Sequence, residues 1–162
     1  MSTITVGVIG LGRIGRIHTD NLLKLPKVRV KSAAVNRLET VQEWADERGI
    51  SLTLNHEDLF KDPEIDAVII CSPTNTHATY IKEAAQAGKH IFCEKPISFS
   101  PSETAEALRV VKEAGVKLQV GFNRRFDPNF KRIRELVERG NIGDVHILKI
   151  TSRDPEPPGE SY

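Results

Sequence analysis

A lysine between a carboxylate and a proline is the first residue of this sequence whose setting suggests chemistry. The tripeptide Glu94-Lys95-Pro96 follows a short apolar run, residues 90–93. Pro96 restricts the backbone of Lys95 to extended conformations. An ammonium group held this way could donate a hydrogen bond to a substrate hydroxyl, stabilise the oxyanion that develops on it, or pass on a proton. The alternative is a surface ion pair between Lys95 and Glu94, and the tripeptide alone leaves both interpretations open.

Glycine spacing near the amino terminus predicts a phosphate-binding turn. Gly10-Leu11-Gly12-Arg13-Ile14-Gly15 has the pattern G-x-G-x-x-G, with a predicted strand before it and a predicted helix that opens at Gly15. In dinucleotide-binding proteins the first glycine permits the tight turn, the second lets the backbone approach a pyrophosphate, and the third lets helix and strand pack closely. The phosphates would bind the free N–H groups at the helix start. The alternative is a structural turn of another α/β protein.

The residues after the second predicted strand indicate which coenzyme such a turn would hold. An Asp or Glu about 20 residues beyond the glycines would accept hydrogen bonds from the ribose and repel a 2′-phosphate. This sequence has Asn36-Arg37 there instead. Asn36 is uncharged, Arg37 could clamp a phosphate in bidentate fashion, and Arg13 could reach the same ribose. These residues favour NADP over NAD. The alternative is that both arginines are solvated and Asn36 binds plain ribose.

Alternating strand and helix patterns predict the scaffold that positions these residues. Strand-like runs are separated by helical patterns of about 10 to 15 residues, which is typical of βαβ units and a parallel sheet. We therefore expect an α/β fold, a doubly wound Rossmann domain with a parallel sheet over residues 1–122. The predicted strands are residues 4–9, 28–35, 51–54, 66–71, 90–93 and 116–120.

The helical patterns between these strands carry start and stop signals. Pro26 closes the first helix, and Ser100, followed by proline and by Glu103, opens the last. The other predicted helical segments are residues 39–48, 56–61 and 76–87. The predicted buried faces are Ile14, Ile17, Leu22 and Leu25 on the first helix and Ala105, Leu108, Val111 and Ala114 on the last.

Two segments leave the predicted sheet at the edge where open α/β sheets bind ligands. Residues 71–77 follow the fourth strand and Glu94-Lys95-Pro96 follows the fifth, so both lie at its carboxyl edge. His77 has two interpretations there, a functional residue or a helix-start residue whose imidazole bonds to backbone. His18, on the first helix, is interpreted as a helix-face residue. The other histidines show no metal-ligand spacing, so we expect no metal site.

Residues 123–162 do not fit this sheet and predict the start of a second α/β domain, incomplete within this sequence. Residues 144–152 alternate as one more strand, and residues 154–159 are expected to form an extended loop. A helix and one strand do not make a core of their own. The apolar positions predicted to line the helix are Phe126, Phe130, Ile133 and Val137.

Composition and charge exclude several classes of protein. Lys and Arg number 23 against 22 Asp and Glu, a net charge of +1, so we expect neither nucleic acid nor a membrane surface as a partner. The longest apolar stretch, residues 67–71, is far shorter than a membrane span, and the amino terminus lacks the basic start of a signal peptide. Two cysteines, Cys71 and Cys93, without metal spacing fit a reducing, cytoplasmic location.

Five segments, in this order, resemble one protein family. The glycine turn, Pro73-Thr74-Asn75-x-His77 and Glu94-Lys95-Pro96 resemble the glucose–fructose oxidoreductase/inositol dehydrogenase/MocA family. Residues 121–127 (GFNRRFD) and 151–155 (TSRDP) are similar to its myo-inositol dehydrogenase branch. The resemblance covers essentially the whole sequence.

The resemblance implies a role for each matching position. Lys95 is implied as the catalytic lysine, hydrogen-bonded to the substrate alcohol, and Glu94 lies near the nicotinamide. Asn123 and Arg124 are implied where nicotinamide and polyol meet. The pyrophosphate would be held by Gly10, Leu11, Gly12, Arg13 and Ile14, and the nicotinamide half would lie along Ser72, Pro73, Thr74, Asn75 and His77.

The implied activity is an NAD(P)-dependent oxidoreductase that passes a hydride between a cyclic polyol or related sugar, inositol foremost, and the nicotinamide. Asn36 stands where many members carry an acid. The family's general base, a histidine paired with an aspartate, lies beyond the position of Tyr162, so we expect this chain alone to bind coenzyme and to oxidise a polyol feebly. A homo-oligomer is expected for a complete chain. The alternatives are a non-catalytic dinucleotide-binding module and a nucleotide-sensing regulator.

Overall fold

The computed structural model describes residues 3–153. The chain divides into two compact units, Met1–Phe122 and Asn123–Tyr162. The first contains a complete α/β layer structure.

A six-stranded parallel sheet forms the centre of the first unit, with strand order β3-β2-β1-β4-β5-β6. The chain builds outward from β1 in one direction, then returns to the other side of β1 with β4. The carboxyl ends of β1 and β4 are therefore where the direction of winding changes, and such a switch point opens a crevice. This is the doubly wound Rossmann fold that the alternating pattern predicts. The strands are β1 (Ile4–Ile9), β2 (Val28–Ala34), β3 (Ser51–Thr53), β4 (Ala67–Ile70), β5 (His90–Cys93) and β6 (Leu118–Val120).

Helices fill the connections between strands. The second helix is shorter than the predicted residues 39–48, because residues 38–41 form a turn in which the Thr40 hydroxyl donates to the Arg37 carbonyl at 3.1 Å. Ser100 caps the fifth helix as predicted, its hydroxyl accepting the Glu103 N–H at 3.4 Å. The helices are α1 (Arg13–Leu22), α2 (Gln42–Asp46), α3 (Glu57–Lys61), α4 (Thr74–Gln86) and α5 (Pro101–Ala114).

The core lies on both faces of the sheet. Successive strand residues point to opposite faces, and accordingly Val8 and Ile69 belong to one buried cluster while Ile9 and Ile70 belong to the other. Both faces of the central strands are covered, which explains why β1 and β4 are continuous apolar runs in the sequence.

The predicted face of α1 is only partly buried, because Leu22 packs against the core but the most buried positions of the helix lie elsewhere. Gly15 and Thr19 are buried, whereas Ile17 is 47% exposed and the helix ends at Leu22, before Leu25. Gly15 has no side chain, so the helix turns this narrow side toward the sheet, and the Thr19 hydroxyl donates to the Gly15 carbonyl at 2.8 Å.

The predicted face of α5 is also displaced. Ala107, Val110 and Val111 are buried, whereas Ala105, Leu108 and Ala114 are exposed. Apolar residues occur at helical spacing on two overlapping stripes of this helix, and periodicity alone does not choose between them. Val111 belongs to both stripes and is the one position predicted correctly.

The second unit, as far as residue 153, contains one short 3-10 turn (Asn123–Arg125) and one helix, α6 (Pro128–Glu138). Asp127 caps α6 by accepting the N–H groups of Asn129 and Phe130 at 2.9 and 3.2 Å, so Phe126 precedes the helix it was predicted to line. The strand predicted for residues 144–152 is not formed. A strand requires a partner with which to exchange backbone hydrogen bonds, and within residues 3–153 none pairs with this segment. The loop predicted for residues 154–159 lies outside the described residues.

Candidate functional site

The glycine turn between β1 and α1 uses its three glycines differently. Gly10 has a φ of 92°, a left-handed conformation that favours glycine. A Cβ at Gly15 would lie 2.0 Å from the Gly10 carbonyl oxygen, so only glycine fits where α1 crosses the turn. A Cβ at Gly12 would meet nothing within 4 Å. Gly12 therefore borders open space, which is the requirement for a backbone that a ligand approaches closely.

The start of α1 leaves its backbone N–H groups open to a ligand. The helix begins at Arg13, two residues earlier than predicted, with Gly12 as its N-cap. No side chain caps it, and its first turn contains no acidic residue. An uncapped helix start with its positive dipole end is a binding site for an anionic group such as a diphosphate.

A cleft of about 980 Å³ opens at this point, along the carboxyl edge of β1, β2 and β4. It passes from the glycine turn toward the residues after β2 on one side and after β4 on the other. Eight of the residues singled out in the sequence line it: Gly10, Leu11, Gly12, Asn36, Arg37, Ser72, Pro73 and Asn75. Others do not line it: Arg13, Ile14, Thr74, His77, Glu94 and Lys95.

Arg16 is a cleft residue that the sequence did not reveal. Its Nε donates to the Leu11 carbonyl at 3.1 Å and its Nη2 to the Thr40 carbonyl at 3.0 Å. The guanidinium also lies 5.5 Å from the ring centroid of Trp44. Arg16 thus ties the glycine turn to the loop after β2. Since two of its donors already bind backbone oxygens, Arg37 is left as the arginine on the cleft wall better able to meet an anion.

His56 and Tyr80 also line the cleft. Their ring centroids are 4.3 Å apart, and His56 Nε2 lies 3.0 Å from Glu83 Oε2. His56 had been given no role from the sequence, because its partners lie more than 20 residues away on α4. Leu54 also lines the cleft.

His77 is buried, and each of its ring nitrogens lies beside a backbone carbonyl oxygen. Its Nε2 lies 2.7 Å from the Ser72 oxygen and its Nδ1 lies 2.7 Å from the Pro96 oxygen. The ring is 2% exposed. His77 thereby joins the end of β4 to the turn after β5. The geometry gives it a positioning role of the kind the backbone-bonded interpretation describes.

Lys95 does not pair with Glu94 through its ammonium group. Glu94 Oε1 instead lies 2.7 Å from His18 Nε2, and Glu94 Oε2 accepts the backbone N–H of Lys95 at 3.2 Å. The Lys95 side chain is exposed, and no partner holds its ammonium within residues 3–153. The Lys95–Pro96 peptide bond is cis. The carboxylate thus orients the backbone of the lysine and leaves its ammonium available.

His18 lies on a face of α1, as expected, but its contact with Glu94 was not predicted from the sequence. Glu94 is 76 residues away in sequence, so the residues next to His18 in the sequence give no indication of this partner. The available signal was its place on α1. On a helix, residues three apart share a face, and His18 follows Gly15, the residue packed against the glycine turn, by three.

The two cysteines are not nucleophiles at neutral pH. Burial, with a further contribution from the charge of Glu94, raises the pKa of Cys71 to about 12. Burial likewise raises the pKa of Cys93 to about 12. Because the thiolate is the reactive and metal-binding form, both side chains serve as packing at the ends of β4 and β5. Among residues 3–153 no group of three or more His, Cys, Asp or Glu side chains could hold a metal ion.

Asn123 and Arg124 lie in the second unit, in the turn that precedes α6. The Arg124 guanidinium lies 5.1 Å from the centroid of the Phe130 ring.

Along residues 3–153, every helix is too short or too polar to cross a lipid bilayer.

Comparison with known proteins agrees with this geometry. Residues 4–122 match the profile of the Gfo/Idh/MocA oxidoreductase family, described as an NAD-binding Rossmann fold. The chain belongs to this family. A member from Thermotoga maritima, a myo-inositol 2-dehydrogenase, is 44% identical over 158 residues, which are 97% of this chain and 47% of that protein.

Solved structures of the family share the fold. A probable dehydrogenase from Thermotoga maritima has a TM-score of 0.91 at 43% identity, covering 96% of this chain and 47% of that one. The scyllo-inositol dehydrogenase of Lactobacillus casei, solved with NAD(H) and scyllo-inositol, has a TM-score of 0.84 at 34% identity, covering 88% and 43%. The chain thus spans about half the length of the Gfo/Idh/MocA relatives it matches.

Proposed function

We propose that this chain is the coenzyme-binding part of an NAD(P)-dependent dehydrogenase that oxidises a ring hydroxyl of a cyclic polyol, inositol being the best-supported substrate. The observation that carries the proposal is the cleft at the switch point, where the open backbone of Gly12 adjoins the uncapped start of α1. The polyol is supported by the names of the Thermotoga and Lactobacillus relatives. We extend the proposal to a cytoplasmic protein that forms homo-oligomers.

The residues present fit a dinucleotide. A Cβ at Gly12 would enter the space that a diphosphate needs, and glycine leaves that space empty. Gly12, Arg13 and Ile14 would hold the diphosphate through backbone N–H groups, with Gly10 and Leu11 shaping the turn. Ser72, Pro73, Thr74 and Asn75 would border the nicotinamide half, with His77 holding their segment in place. The coenzyme supplies the acceptor for the hydride, and the chain supplies binding and orientation.

Lys95 is the proposed catalytic residue. Oxidation of an alcohol removes a hydride from carbon and a proton from the hydroxyl, and negative charge grows on the oxygen as the proton leaves. The Lys95 ammonium, unpaired within residues 3–153, would donate to that oxygen and stabilise the charge. Asn123 and Arg124 are proposed to contact the polyol.

Arg37 supports a preference for NADP. It is exposed on the cleft wall beside Asn36, and neither residue would repel a 2′-phosphate. A guanidinium can bind such a phosphate with two parallel hydrogen bonds. NADP preference is therefore our proposal within a family whose fold binds NAD.

Fluorescence titration with NADPH and NADH tests the coenzyme half of the proposal. Arg37→Ala should weaken NADPH binding by about tenfold or more, since hydrogen bonds to charged groups are lost, and should leave NADH binding nearly unchanged. Asn36→Asp should shift preference toward NADH by repelling the phosphate. Arg29→Ala, at the opposite end of β2, is the matched control. Binding of neither coenzyme by the unchanged chain would refute the proposal, and equal loss of both in Arg37→Ala would refute the preference.

Lys95→Ala tests the catalytic half in the protein as the cell makes it. Loss of the ammonium should lower turnover of inositol by about a hundredfold or more, while the Kd for coenzyme changes by less than about twofold. Lys112→Ala, an exposed lysine on α5, is the control and should retain full turnover. Parallel losses of turnover and coenzyme affinity would contradict a catalytic role. Coenzyme binding without turnover of any inositol isomer by the unchanged protein would favour a binding module.

A further inference from the structure

We propose that His18 is a positioning residue that couples α1, the helix whose start would bind the diphosphate, to the turn Glu94-Lys95-Pro96. It lies on α1, whose amino end borders the cleft, and its imidazole reaches Glu94, the residue before Lys95. The inference rests on the proposed function for the meaning of that turn. The contact itself is independent of any ligand.

The contact is short and half-buried. His18 Nε2 and Glu94 Oε1 are 2.7 Å apart, and the two side chains are 29% and 19% exposed. The surface pair Lys61–Glu57 on α3 is much more open, at 72% and 52%. Exposed pairs contribute little because water competes for both partners, whereas a shielded charged hydrogen bond fixes its partners in place.

The surroundings of Glu94 leave its carboxylate little freedom. A Cβ at Gly121 would lie 3.0 Å from Glu94 Oε1 and 3.0 Å from the Phe92 ring, so the absence of a side chain there makes room for the carboxylate. The His18 and Phe92 rings meet edge to face, with centroids 5.0 Å apart. The imidazole is thus held by packing on one side and by the carboxylate on the other.

The second carboxylate oxygen of Glu94 links the His18 contact to the backbone of Lys95. Glu94 Oε2 accepts the backbone N–H of Lys95 at 3.2 Å. Without the bond to His18 the carboxylate can rotate about its side-chain torsions, and the Lys95 N–H loses its fixed acceptor. His18 therefore acts on Lys95 through Glu94. A ligand that steadies α1 would steady the lysine as well.

Amide hydrogen exchange of the ¹⁵N-labelled chain tests this coupling. His18→Leu keeps apolar bulk against Phe92 but has no donor, and should speed exchange of the Lys95 amide by about tenfold. His18→Gln keeps a donor and should restore most of the protection. His146→Leu, an exposed histidine of the second unit, is the control, and the Val8 amide in the central strand reports whether the fold persists.

Added NADH provides the second comparison. It should slow exchange of the Lys95 amide in the unchanged chain and in His18→Gln, but not in His18→Leu. Equal Lys95 exchange in the Leu and Gln variants, with Val8 still protected, would overturn the proposal. Failure of the unchanged chain to bind either NADPH or NADH would instead overturn the proposed function, because the comparison without coenzyme reads the His18 bond by itself.

Discussion

Gly12 and Gly15 occupy the same motif but meet opposite physical demands. At Gly15 a methyl group would collide with the Gly10 carbonyl, whereas at Gly12 it would project into the cleft without touching the protein. Gly12 has a φ of −68°, which alanine adopts readily. The fold therefore requires glycine at position 15, whereas at position 12 the requirement comes from the ligand that we propose.

Alanine at each position separates these demands. Gly15→Ala should lower the free energy of unfolding by about 3 kcal/mol or more, because rigid backbone must move to admit the methyl group. Gly12→Ala should change it by less than about 1 kcal/mol. The same Gly12→Ala should weaken NADH binding by about tenfold or more, since the methyl group occupies space needed by the diphosphate.

Urea unfolding and fluorescence titration measure the two effects separately. Gly49→Ala is no suitable control, because its φ of 65° adds strain of another kind. Ala87→Gly, at the end of α4 and away from the cleft, adds a small backbone change without touching the site. Normal NADH affinity in Gly12→Ala would contradict the position assigned to the diphosphate.

At the residue scale, the sequence could predict positions whose signal is local. The glycine turn and the Glu94-Lys95-Pro96 turn are recognisable because each motif follows its own strand. His18 was not recognisable as a partner of Glu94, because the pairing depends on how α1 crosses the sheet. The contributions of Arg16 and His56 to the cleft are of the same kind.

At the element scale, Lys31 fastens β2 to the segment before β4 through two ion pairs. Lys31 Nζ lies 2.6 Å from Asp62 Oδ2 and 2.8 Å from Glu64 Oε2. The hydrogen bond from Lys31 lowers the pKa of Asp62 below its usual value of 3.8, with help from the Glu64 backbone N–H. The same bond raises the pKa of Lys31 above its usual 10.5.

The Lys31–Asp62 pair should make stability depend on acidity. A carboxyl whose pKa is lower in the folded than in the unfolded chain stabilises the fold fully above the unfolded pKa, and the effect is lost as pH falls through the folded pKa. The urea midpoint should therefore drop between about pH 5 and pH 2. Asp62→Asn should show a smaller drop over that interval, and Asp144→Asn, an exposed control, should behave like the unchanged chain. Identical pH profiles for the Asp62 variant and the unchanged chain would refute the link.

The sequence predicted which strands and helices form better than it predicted which faces they bury and which neighbours they pair with. All six strands follow from strand-like runs, and β1 and β5 have the predicted bounds. The predicted faces of α1 and α5 were correct only in part, because small residues, Gly15 on one and Ala107 on the other, decide how closely a helix approaches the sheet. The strand at residues 144–152 was wrong because alternation predicts which face would be buried, and a ladder also needs a neighbour.

At the scale of the whole molecule, the winding of the chain creates the site. Residues 10–12, 36–37, 72–73 and 75 are far apart in sequence, yet the reversal of direction at β1 and β4 brings them around one cleft. That meeting follows from the predicted order of elements, since parallel strands all end at the same edge. The cleft was therefore accessible to sequence reasoning, while the hydrogen bonds among its supporting residues were not.

The two edge strands of the sheet are also its shortest strands, β3 (Ser51–Thr53) and β6 (Leu118–Val120). Each edge strand offers only three residues of backbone with which another polypeptide could form a strand pair. Short edge strands of this kind discourage polymerisation, because too few new backbone hydrogen bonds form to offset the conformational entropy lost by an incoming chain. Within residues 3–153, both edges of this sheet therefore offer a poor template for pairing with a second chain.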